Sequence, residues 1–96
     1  MDEVSLTIET FEGRIGETFR MVVDEWEIPM RLSNIDKLSM RPDGSRGFAL
    51  HFHAPPQIVL RQQLFGVEHD ELPPFTMFLV PLGPDEHGMR YEAVIF

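Results

Sequence analysis

The chain has 96 residues, 43% of them hydrophobic, with eight phenylalanines and no cysteine. That is one domain's worth of sequence with apolar material for one core, and it excludes disulfides, thiolate metal sites and a cysteine nucleophile. The net charge is −8, and no basic stripe exists to release counterions from phosphates, so neither nucleic acid nor an anionic membrane is an expected partner.

The acidity is uneven. Residues 1–27 hold eight acids (Asp2, Glu3, Glu9, Glu12, Glu17, Asp24, Glu25, Glu27) against two bases, Arg14 and Arg20. Such a front is either a solvated surface or a docking face for a basic partner. Met1-Asp2-Glu3 is acidic where a secretory signal is basic. No apolar run approaches the ~18 residues of a membrane span, so the expected location is the cytoplasm. Residues 1–96 read as a single β-rich domain, held by packing alone because it has no staples.

In chain order, Thr7 is placed to cap a short helix over Ile8–Glu12, with Glu9 and Glu12 favouring its positive end and Gly13 and Gly16 ending it. The period then becomes two. Phe19, Met21 and Val23 alternate with Arg20, Val22 and Asp24; Trp26, Ile28, Met30 and Leu32 alternate with Glu27, Pro29, Arg31 and Ser33. Pro29 donates no hydrogen bond and belongs at an edge or bulge. Beyond Leu32 the phase slips, since Asn34 and Asp36 fall where apolar residues are due, and a β-bulge near Ser33-Asn34 accounts for it.

Arg41-Pro42-Asp43-Gly44-Ser45 is a turn. It leads into a strand over Gly47–Ala54 with Phe48, Leu50 and Phe52 on one face, ended by Pro55-Pro56. A further strand spans about Ile58–His69, with a break near Gln62-Gln63. Phe75–Leu82 is apolar on both faces, the pattern of a central strand. Gly83–Gly88 reads as a hairpin loop, and Met89–Phe96 as the last strand. The expected fold is mainly β: one short N-terminal helix and about six antiparallel strands in a small barrel or strongly curled sheet. A two-sheet sandwich is the alternative.

Leu79-Val80-Pro81-Leu82-Gly83-Pro84 followed by Gly88-Met89-Arg90-Tyr91-Glu92-Ala93-Val94-Ile95-Phe96 resembles the ending of a family of short bacterial proteins of unknown function. That family typically closes on Leu-Val-Pro-x-Gly-Pro and then Gly-Met-Arg-Tyr-Glu-Ala-Val-Phe. Thr7, Phe11, Gly16, Thr18 and Phe19 are similar to the family's front. The chain departs from it at Asp70, where proline is common, and at its last three residues. The resemblance implies a small β domain with no established activity, associated with phage-tail-like or fibre-like proteins.

Of the constellations that could carry chemistry, His51-Phe52-His53 comes first. Residues i and i+2 of a strand share a face, so two imidazoles could serve a divalent metal, with His69, His87 or a Glu completing the set. They lie opposite the Phe48/Leu50/Phe52 face. The pair is similar to a cupin motif, but Ala54-Pro55-Pro56-Gln57-Ile58 lacks the acidic ligand that motif needs. Glu68-His69-Asp70-Glu71 is either a cation site or a charged turn in which His69 bonds to backbone or carboxylate. There is no Gly-x-Ser-x-Gly elbow or phosphate loop, and a Ser/His/Asp triad would form only by coincidence of folding.

Arg90 and Glu92 share a strand face and are expected to form a same-face or cross-strand ion pair. An interface strip is the other reading. Trp26 is expected as a core anchor, or as an interface hot spot if exposed. Phe96 closes the barrel or docks on a partner. The leading expectation is a non-enzymatic protein-interaction or assembly module, with Trp26, Arg90, Glu92 and Phe96 as interface residues and no cofactor. Its partner is another protein, or a second copy paired through an open sheet edge. The alternative is a small metal- or ligand-binding barrel centred on His51 and His53.

Overall fold

A computed structural model describes residues 6–96; Asp2 and Glu3 of the acidic front lie outside the described residues. The elements are α1 (Ile8–Glu12), β1 (Thr18–Val23), β2 (Trp26–Met40), β3 (Arg46–Ala54), β4 (Gln63–His69), β5 (Leu72–Asp85) and β6 (Gly88–Ile95). The six strands form a closed antiparallel barrel in the order β1-β2-β3-β6-β5-β4, with β4 pairing back to β1. The architecture is therefore a barrel and not a two-sheet sandwich.

Alternation along the strands fills the lumen. Phe19 and Met21 of β1, Met30 and Leu32 of β2, and Leu50 and Phe52 of β3 all point inward and are buried. Phe65 and Val67 of β4, Met77 and Leu79 of β5, and Tyr91 and Ala93 of β6 complete the core. Phe11 of α1 covers the end where β3 begins, its ring centroid 5.9–6.2 Å from those of Phe19, Phe48 and Phe75. Residues 55–62 run over the opposite end.

The phase slip in β2 is a bulge. Leu32 pairs with Phe52 and Asn34 with His51, so Ser33 is the extra residue. The insertion restores Ile35 to the inward side opposite Leu50, which a regular strand would not allow. Proline placement follows the same pairing. β2 pairs with β3 only from Arg31 onward, and β5 pairs with β4 only as far as Leu79. Pro29 and Pro81 thus sit where their strand has one neighbour and the missing N–H costs little.

Several expectations need correction. Thr7 sits at the helix N-cap position but makes no side-chain cap; its hydroxyl lies 3.3 Å from that of Thr10 instead. Residues 58–62 are not strand, and β4 starts at Gln63. The Gly83–Gly88 loop is shorter than expected, because Asp85 pairs with Gly88 and leaves only Glu86-His87 as the turn. Phe75–Leu82 is not a central strand covered on both faces: its inward side is buried, yet Phe78 is 50% exposed on the outside. Every strand of the ring has two neighbours. Parts of β2 and β5 nevertheless pair on one side only.

The weakest join is β1–β4, which pairs only Arg20–Val22 with Gly66–Glu68. Charged groups brace it from outside. Arg20 bridges Asp70 at 2.9 Å and Glu27 at 3.3 Å, so the acidic 68–71 turn serves to hold the barrel closed.

Candidate functional site

β3 and β6 are adjacent in register, with His51 opposite Glu92 and His53 opposite Arg90. Because the inward positions of both strands belong to Phe52, Tyr91 and their neighbours, these four polar residues form one block on the barrel's outer surface. The sequence-nominated His51, His53, Arg90 and Glu92 are thus brought together, facing away from the lumen.

Within the block each side chain has its own partner. Nε2 of His51 lies 2.9 Å from Asp36 Oδ2 and 3.8 Å from Glu92 Oε2. The expected Arg90–Glu92 ion pair is not formed. Arg90 donates instead from Nε to the Gly83 carbonyl (3.2 Å) and from a terminal nitrogen to the Leu82 carbonyl (3.1 Å). β5 has a register shift between Pro81 and Gly83, next to these two carbonyls, and a guanidinium is the fork-shaped donor that reaches both.

His53 joins Ser33 and Asp85. Its Nδ1 bonds to the Ser33 hydroxyl, and its Nε2 lies 2.9 Å from Asp85 Oδ2. A serine–imidazole–carboxylate chain has therefore formed after all, made possible by the bulge that turns Ser33 toward β3. Asp85 Oδ1 also accepts the backbone N–H of His87 at 2.8 Å. The His53 hydrogen bond first, then that N–H, hold the Asp85 carboxyl below the usual carboxylate range. The chain ties the β2 bulge to the tip of the β5–β6 hairpin across β3. Acyl-transfer chemistry also needs donors for a developing oxyanion, and Arg90, the β6 neighbour of His53, is committed to two carbonyls.

A second cluster lies at the β1–β4 join, where Glu17, which the sequence did not nominate, meets His69 and Glu71 of the charged turn that it did. Glu17, His69 and Glu71 offer ligand atoms within 4.8 Å of one another. His69 is buried against Phe19, ring centroids 4.5 Å apart. Its Nδ1 accepts the Glu71 N–H at 3.0 Å, so the proton sits on Nε2 and is donated to Glu17 at 2.7 Å. Both nitrogens are committed, and the Arg14 guanidinium spans Glu17 (3.3 Å) and Glu71 (2.6 Å). Arg14 already supplies the positive charge that a metal would bring.

The two aromatic candidates are exposed. Trp26 has the inward phase of β2 but is its first residue, paired to Val23 of β1 and beyond the reach of β3, and it is 67% exposed. Phe96 does not close the barrel. It follows the outward phase of β6, lies against Gly47 on the outer surface and is 72% exposed. The Arg41 guanidinium sits 4.9 Å from its ring centroid. Any side chain at position 47 would meet the Phe96 ring, since a Cβ there would fall 2.5 Å from it.

The family model of a domain of unknown function, DUF6916, matches residues 6–95. The chain belongs to this family. No curated protein and no solved structure matches it. The DUF6916 match spans the whole barrel, including the His51–Glu92 block, the β1–β4 join and Trp26.

The sequence missed the partners that come from distant positions. Asp36, Asp85, Glu17 and Arg14 gave no local signal. Phe78 did give one, in the two-sided apolar pattern of β5, but the pattern reflects an uncovered surface and not a covered strand.

Proposed function

We propose that this DUF6916 domain is a non-enzymatic protein-interaction or assembly module that binds through the outer surface of its barrel. One observation carries this reading: large apolar side chains stand outside a barrel whose lumen is already filled. Leu64 of β4 and Phe78 of β5 are cross-strand partners, 62% and 50% exposed. Val94 of β6, the strand on the other side of β5, is 47% exposed. Phe96, two residues further on, is 72% exposed. Scattered apolar residues are ordinary on a surface, but a pair of large exposed side chains directly opposite each other, with further exposed ones on the next strand, supports a contact face. A filled interior leaves little room for a ligand inside. Attachment to a phage-tail-like or fibre-like structure is the narrower form of the proposal and is supported by family resemblance alone.

Purification from the native host tests it. The unaltered protein should retain one discrete partner in fixed proportion, and the Leu64→Ser/Phe78→Ser variant should lose it while melting within a few degrees of the original. Retention of the partner by that variant, or repeated purifications without a partner, would contradict the proposal.

A further inference from the structure

We infer that the groove beside Trp26 docks a basic protein segment carrying an apolar anchor residue, a conclusion that rests on the interaction-module reading and names a site and partner chemistry for it. The groove, about 360 Å³, lies between the β1–β2 hairpin and residues 55–62. Val23, Trp26, Ile28, Pro29, Ile58 and Leu60 make it apolar, and Glu27 is its charged wall. It has room for one or two side chains.

Charge selects the occupant. The two-residue turn Asp24-Glu25 joins β1 to β2, with Val23 paired to Trp26, so two carboxylates stand at the hairpin tip beside the groove's mouth and a third, Glu27, lines the groove. Glu27 is shared with Arg20. Asp24 and Glu25 belong to no ion pair among the described residues. Residues 55–62 contribute one base, Arg61. An open tryptophan face beside carboxylates attracts a lysine or arginine side chain, through the ring quadrupole and through the acids themselves. The apolar floor then takes the neighbouring aliphatic residue. A second copy of the chain would bring the same acidic rim against this one, and a nucleic acid would bring phosphates; both are repelled.

The wall opposite Trp26 is fixed in advance. The Tyr91 hydroxyl accepts the Leu60 N–H at 3.1 Å and lies 3.5 Å from the Ile58 carbonyl, to which it donates. A preformed wall reduces the ordering cost of binding.

Trp26 is the chain's single tryptophan, so its fluorescence reports the groove directly. The purified protein is titrated with a synthetic peptide alternating lysine and leucine, and with a glutamate–leucine counterpart. The lysine–leucine peptide should give a saturable blue shift, weakened in about 1 M salt, where the screening length falls to about 3 Å. The glutamate–leucine peptide should give none. Asp24→Asn/Glu25→Gln spares the Glu27–Arg20 pair and keeps a residue tolerant of the Asp24 backbone (φ 54). It should weaken binding by about tenfold or more, with an unchanged melt, whereas Phe78→Ser should bind as the unaltered protein does. Absence of a saturable shift, equal binding of the glutamate–leucine peptide, or unchanged affinity in Asp24→Asn/Glu25→Gln would overturn the inference. So would a blue shift on concentrating the protein without peptide, which would assign the groove to a second copy. None of these results would touch the loss of the native partner in Leu64→Ser/Phe78→Ser, so the two proposals fail separately.

Discussion

The buried hydroxyl of Tyr91 accepts a hydrogen bond from the backbone N–H of Leu60, 3.1 Å away across the end of the barrel. Tyr91 is an inward core residue of β6 with no exposure, so this contact anchors an irregular segment to the interior of the sheet. Without it the Leu60 N–H would be left without its partner in a part-buried setting, which costs about 1–3 kcal/mol. Tyr91→Phe should destabilise the fold by that amount. It should also raise hydrogen exchange at residues 58–60 while leaving the β-strands protected. Unchanged exchange at Leu60 would show that the hydroxyl does not hold the segment.

Gly88 has a backbone φ of 130°, and a Cβ on it would lie 2.5 Å from the Ala54 carbonyl oxygen. Gly44 also has a positive φ, 88°, but open space around it. Gly44→Ala should therefore cost only backbone strain, about 1–2 kcal/mol. Gly88→Ala should cost at least twice that, because the hairpin tip must also move away from β3. Equilibrium denaturation of the two variants makes the comparison; equal losses would contradict it.

Asp85 is held ionised by His53 and the His87 N–H, so its carboxyl lies lower in the folded chain than in the unfolded one. Its stabilisation is complete above the unfolded value, about 3.9. It is lost as the pH falls through the lower folded value. The gap in melting temperature between the unaltered protein and Asp85→Asn should close as the pH falls below about 4. A gap that persisted unchanged into strong acid would show that the His53 contact does not govern Asp85.

Arg14 fills the cation position among Glu17, His69 and Glu71, and Glu71 foremost keeps its guanidinium protonated. Arg14→Ala should lower the melting temperature by a few degrees, and a chelator should leave the unaltered protein's melt where it was. Stoichiometric metal by elemental analysis, with a melt that falls on chelation, would reassign the cluster to a metal ion.

The elements with a local cause were legible in the sequence. The bulge at Ser33 showed as a break in alternation. The turn at 41–45 showed through Pro42, Asp43 and Gly44, and Asp43 indeed accepts both the N–H and hydroxyl of Ser45. The outward placement of His51 and His53 followed from the inward phase of Phe48, Leu50 and Phe52. What alternation could not give was position along the barrel axis. Trp26 has the inward phase yet stands at the rim, and Ile58, Val59 and Leu60 have strand-like composition yet form a segment held by Tyr91. Nor could it give partners. Arg90 and Glu92 are two residues apart on one face, but a distortion in the neighbouring strand offers Arg90 two carbonyls, and those outcompete the carboxylate.

The most direct test of the account is hydrogen exchange on the complex that the protein forms in its native host. The interaction reading predicts that binding protects the backbone around Leu64, Phe78 and Val94. Protection confined to the His51–His53 segment of β3 and its Asp36 and Glu92 neighbours would contradict it, and would make that polar block the binding site.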